Sequence, residues 1–99
     1  MRIPETLIPI IKARVAEQLG SEAKIYLFGS RLDDSAKGGD LDLLVTLNRP
    51  IETPAQISAL LEAQISRAFH GRKVDLLLSA PNLQSHSIHQ IAQEEGKEL

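Results

Sequence analysis

Apolar residues recur along this chain with two different periods, and the periods divide it into helices and strands. Leu7, Ile10, Ile11, Val15 and Leu19 stand at helical spacing, with Lys12, Arg14, Glu17 and Gln18 opposite them. This predicts an amphipathic helix beginning near Thr6, a possible N-cap, with Pro9 tolerated in its first turn and Gly20 at its end. Ile57, Leu60, Leu61, Ile65 and Phe69 predict a second helix over about Thr53 to Phe69, opened by Pro54 and closed by Gly71. A weaker pattern, Leu83, Ile88 and Ile91, predicts a third from Asn82 to about Glu94. Three apolar runs are too short for helices and are bounded by Gly or Pro: 24–28, 41–47 and 73–78. They read as strands.

The order is therefore αβ, loop, βαβα, which implies an α/β (by some schemes α+β) fold. A small mixed sheet of three or more strands carries helices on one face. The stretch between the second and third strands is long enough for a crossover. Those two strands are expected to be parallel neighbours joined right-handedly.

Ninety-nine residues, 42% hydrophobic and 24% charged, predict one folded domain spanning residues 1–99. With only Tyr26, Phe28 and Phe69 as aromatics and a net charge of −2, neither a base-stacking platform nor an electrostatic footprint for nucleic acid is expected. The absence of cysteine excludes thiolate metal sites and cysteine nucleophiles, and suits a reducing cytoplasm. The run Leu7-Ile8-Pro9-Ile10-Ile11 is too short for a signal-peptide core, and no stretch approaches a membrane span. A cytoplasmic protein is expected.

The chemistry concentrates between Phe28 and Val45 and around Asp75. Strand alternation turns Asp40 and Asp42 to one face, about 6.6 Å apart along the strand, and Leu41, Leu43, Val45 and Leu47 to the other. In the third strand Val74, Leu76 and Leu78 point to the core, leaving Lys73, Asp75 and Leu77 opposite. Three carboxylates gathered on one face repel one another and call for a counter-charge. Oxygen ligands suit Mg²⁺ or Mn²⁺, and two such ions about 3.5–4 Å apart can clamp the attacking and leaving oxygens of a nucleotidyl transfer. Gly29-Ser30 ends the first strand, where a glycine allows close approach to phosphate and free N–H groups with a hydroxyl can hold it. The loop matches neither the P-loop nor the dinucleotide fingerprint, and the leucines after Asp40 and Asp42 exclude an EF-hand.

Gly29-Ser30, nine intervening residues, Asp40-Leu41-Asp42 with apolar flanks and a later Asp75 in an apolar strand resemble the DNA polymerase β-type nucleotidyltransferase superfamily, in its minimal nucleotidyltransferase branch. The resemblance is strong from about Lys24 to Leu78 and looser in the flanking helices. It implies that Gly29 and Ser30 contact the nucleotide phosphates and that Asp40, Asp42 and Asp75 hold the metal ions, with Asp75 helping to activate the acceptor hydroxyl. It further implies ATP as substrate and pairing with a HEPN-domain toxin, with AMP transferred to a toxin tyrosine and a homo- or hetero-oligomer as the assembly. Relatives often carry a second basic residue soon after Gly-Ser-Arg; here Asp33 and Asp34 stand there, leaving Arg31 and Lys37 as the loop's cations.

Both cations are nucleotide-binding candidates. Arg31 is divided between a phosphate contact and an ion pair with Asp33 or Asp34, and Lys37 between phosphate and an ordinary loop position. His86 and His89 read as surface or interface residues rather than ligands, His70 as a helix-end residue, and Ser35 and Ser79 lack an identifiable base. Two alternatives to protein adenylylation stand beside it: an antitoxin acting by binding only, and a transferase for a small hydroxylated molecule such as an aminoglycoside. Leu44 and Leu77 are expected on the acidic face, as an apolar patch for a protein acceptor.

Overall fold

The structure, a computed structural model, describes residues 5–28, 41–83 and 97–99, with only the backbone of Phe28. In chain order the elements are α1 (Leu7–Leu19), β1 (Lys24–Phe28), β2 (Leu41–Thr46), α2 (Pro54–Ala68), β3 (Val74–Ser79) and β4 (Lys97–Glu98). The sheet order is β3-β2-β1-β4. β2 and β3 run parallel across the α2 crossover, as its length requires, while β1 is antiparallel to both β2 and β4. The two-residue β4 carries no apolar alternation, so the sequence pattern did not announce it.

Strand alternation builds the core. Ile25 and Leu27 of β1, Leu41, Leu43 and Val45 of β2, and Val74, Leu76 and Leu78 of β3 all join one buried cluster with the two helices. α1 contributes Leu7, Ile11, Val15 and Leu19, and α2 contributes Leu61 and Ile65, with Phe69 just beyond its end. Each set repeats every fourth residue. Ile10 and Leu60, expected in these stripes, are instead exposed, at 37% and 42%. Each lies one residue, about 100° of helical rotation, before a fully buried neighbour, Ile11 or Leu61, and the narrow contact between helix and sheet admits only one of the two.

Two further expectations at element ends are corrected. Thr6 has helical backbone angles and makes no side-chain cap bond. Asn82 and Leu83 lie in a turn rather than opening a third helix, whose remainder falls outside the described residues. The Asn82 side chain is committed elsewhere, accepting from the Ile51 N–H and donating to the Ile51 carbonyl, both at 2.9 Å. It ties the loop after β3 to the loop before α2.

Among the described residues β3 is an edge strand, whose outward backbone groups would otherwise template pairing with another chain. Two α2 side chains occupy that edge at Leu76: Glu62 Oε2 accepts the Leu76 N–H at 2.9 Å, and the Ser58 hydroxyl donates to the Leu76 carbonyl at 3.0 Å.

Arg49, after β2, fastens the end of α1 by donating to the Leu19 carbonyl at 2.5 Å and to Glu22 at 2.9 Å. That hydrogen bond holds the Glu22 carboxyl below its ordinary range, so the contribution, present above the usual carboxylate pKa, is lost as pH falls. Gly20 sits beneath this latch with φ 92° and ψ 165°, backbone angles that are essentially glycine's alone. A Cβ there would stand 2.8 Å from the Arg49 guanidinium. Gly20→Ala is expected to cost about 1–3 kcal/mol, seen as a lower melting temperature by circular dichroism; an unchanged melting curve would show that the loop relaxes freely.

Candidate functional site

The parallel register of β2 and β3 sets Asp42 directly beside Asp75, on strands whose backbones lie about 4.8 Å apart. The ladder is anchored at both ends by the Leu41 N–H on the Lys73 carbonyl at 3.0 Å and the Leu47 N–H on the Ser79 carbonyl at 2.9 Å. Both acids are half-buried, and their strand neighbours Leu41, Leu43, Val74 and Leu76 are buried on the helix side. The acids therefore face away from α1 and α2. The hydrophobic effect acting on their neighbours aims them there.

On its other side, Asp42 is registered against Phe28, the last residue of β1. Gly29 and Ser30 follow Phe28 directly in the chain. Antiparallel pairing of β1 with β2 thus brings the strand end that leads into Gly29-Ser30 alongside Asp42, and parallel pairing with β3 brings Asp75 to its opposite flank. Gly29, Ser30, Arg31, Lys37 and Asp40 lie outside the described residues.

Lys73, two residues before Asp75 on the same strand face, places Nζ 4.0 Å from Asp75 Oδ1. The two side chains are 68% and 45% exposed, so solvent screens the contact. Strand alternation had turned Lys73 to this face without distinguishing it from any other exposed lysine. Its approach to Asp75 is a property of the folded edge.

One expected feature of this face is absent. Leu44 is fully buried, though it lies outside the cluster formed with the helices. Its register neighbours are Tyr26 on β1 and Leu77 on β3, both half-buried. Leu44 offers no surface for a partner, because alternation fixes which sheet face a side chain occupies but not whether that face is covered. At the far end of the same face, Lys24, Tyr26, Thr46 and Ser79 border a polar hollow of about 390 Å³. It is separated from Asp42 by four residues of β2, about 13 Å.

A family model described as "Polymerase beta, Nucleotidyltransferase" matches residues 11–99. The chain belongs to this nucleotidyltransferase family. A search of curated proteins found no match. Family membership makes the chain a nucleotidyltransferase domain, a transferase by class, and accounts for its mixed sheet and crossover helix. Among the described residues no helix is long and apolar enough to cross a membrane.

Nucleotidyltransferases of this family typically use a divalent metal ion and a nucleoside triphosphate. The donor set fits a hard cation: two carboxylates, adjacent in register, partly exposed on one sheet face, in a chain without cysteine. Among the described residues no group of three or more His, Asp or Glu side chains is gathered for a metal. Asp42 and Asp75 are the described members of the expected set, and Asp40 is its third. An ion held there would offset the charge of the acids and of a bound phosphate.

Proposed function

We propose that the protein is a Mg²⁺- or Mn²⁺-dependent adenylyltransferase that moves AMP from ATP to a hydroxyl, a tyrosine of a HEPN-domain toxin, and so acts as that toxin's antitoxin. The observation that carries the transferase reading is the in-register pair Asp42 and Asp75, set beside the strand end that leads into Gly29-Ser30. The choice of a protein acceptor and a HEPN partner is supported by the motif spacing, which resembles minimal nucleotidyltransferases.

In this reading the Gly29-Ser30 backbone and hydroxyl hold the triphosphate, with Arg31 and Lys37 adding charge. Asp40, Asp42 and Asp75 would hold the metal ions. The acceptor oxygen forms a bond to the α-phosphorus as the bond from that phosphorus to the bridging oxygen of the β-phosphate breaks. Pyrophosphate leaves, and Asp75 takes the acceptor's proton and passes it to water. With Leu44 closed off, the partner approaches over β3, where Asp75 and Leu77 are partly exposed.

Intact-mass spectrometry of the protein mixed with its HEPN partner and Mg²⁺-ATP tests this. The expected result is one or more AMP masses added to the partner, with little transfer to small hydroxyl compounds. An unmodified partner held in a stable complex would establish binding-only neutralisation instead. Efficient modification of an aminoglycoside by the isolated chain would establish a small-molecule acceptor.

A further inference from the structure

The chain as a whole carries a net charge of −2, yet residues 67–73 contain Arg67, His70, Arg72 and Lys73 and no acid. All four side chains are exposed. Arg67 complements the C-terminal end of the α2 dipole, but Arg72 and Lys73 lie beyond the helix, where that interaction does not account for them.

The turn is held in one shape. The Gly71 N–H donates to the Ser66 carbonyl at 2.8 Å, the Arg72 N–H to the Phe69 carbonyl at 3.2 Å, and the Ser66 hydroxyl to the Arg72 carbonyl at 2.5 Å. His70 and Gly71 take left-handed φ values of 59° and 77°, reversing the chain into β3. The Arg72 guanidinium lies over the ring of buried Phe69, 5.5 Å from its centroid. Cations presented by an ordered turn spend less entropy on binding than cations on a loose loop. The turn also runs straight into the acidic site, since Lys73 sits two residues before Asp75 and its carbonyl receives the Leu41 N–H that opens the β2–β3 ladder.

We infer that this turn is the docking surface for an acidic segment of the protein that carries the acceptor hydroxyl, placed so that the docked chain runs alongside Asp75. The inference rests on the protein-acceptor reading above. Three cations, Arg67, Arg72 and Lys73, match a short run of Asp and Glu. A nucleic-acid site is disfavoured by the chain's net charge of −2, and the turn's one aromatic, Phe69, is buried beneath Arg72 rather than offered to a base.

The test is an NMR titration of the ¹⁵N-labelled full chain with three probes: a deca-glutamate peptide, a thymidine decanucleotide and inorganic pyrophosphate. The expected result is that deca-glutamate shifts the amides of residues 67–73, and that the shifts fade at about 0.3 M NaCl, where the Debye length falls to about 6 Å. Arg67→Glu with Arg72→Glu should weaken that binding by about tenfold or more, and Arg67→Gln with Arg72→Gln by less. Tighter binding of the decanucleotide, equal shifts from pyrophosphate, or a double variant that lowers the melting temperature while binding deca-glutamate unchanged would each overturn the proposal. A rise in melting temperature with Mg²⁺-ATP, measured on the same variants, keeps the two readings apart. Deca-glutamate binding without a nucleotide effect would sustain the surface and sink the transferase reading, whereas a nucleotide effect without deca-glutamate binding would do the reverse.

Discussion

Asp42→Asn is expected to lower nucleotidyl transfer by about a thousandfold or more, on the scale of several kcal/mol of transition-state stabilisation at about 1.36 kcal/mol per decade. The amide keeps the shape of the side chain but removes the negative charge and one of the two hard oxygens, at the strand position flanked by both Asp75 and the β1 end. Asp42 is half-buried on the face away from the helices, so no core cavity opens. The melting temperature should stay within about 4 °C of wild type, roughly the effect of 1 kcal/mol in a domain of this size. Manganese should raise that temperature less in the variant than in wild type, because a ligand that binds only the folded chain stabilises it in proportion to its affinity. Pyrophosphate release from Mg²⁺-ATP in the presence of the acceptor protein measures the first effect. Turnover at the wild-type rate would remove Asp42 from the site.

The adjacent residue carries the opposite expectation. Leu43 is fully buried in β2 and is registered between Leu27 of β1 and Leu76 of β3. Leu43→Ala is expected to cost about 3–5 kcal/mol, the upper part of the range for buried leucines, because two paired strands hold the cavity walls apart. That is a large share of the roughly 5–15 kcal/mol that stabilises a typical domain, and it should lower the melting temperature by more than about 12 °C. Calorimetry measures it; a shift of only a few degrees would show that the helices close over the gap. Well below the transition the folded variant should transfer nucleotide normally, since its acids still face away from the helices. Two consecutive side chains of one strand thus divide stability from chemistry.

Much of this arrangement is legible along the chain. β1 falls on its expected residues, and the ends of β2 and β3 shift by one. The crossover length implies the parallel β2–β3 pair before any contact is seen. Placing Asp42 and Asp75 on one face needs only the period of two and the leucines and valines between them. Their direct opposition needs more, because a slide of two residues along β3 would preserve every inward-facing side chain yet set Leu77 or Lys73 beside Asp42. Packing of β3 under α2 resolves it, through the Glu62 and Ser58 bonds to Leu76 among other contacts.

By itself the sequence determined the periods, hence which residues are helical, which are extended and which sheet face each side chain takes. These follow from the stereochemistry of neighbouring residues. Tertiary structure alone decided that Leu44 is covered while Ile10 and Leu60 are exposed, that Asn82 ties two loops instead of opening a helix, that β4 joins the sheet, and that Lys73 comes within 4.0 Å of Asp75. Each of these depends on which remote segment lies against a given face or edge. Local periodicity orients a side chain but carries no information about what will cover it.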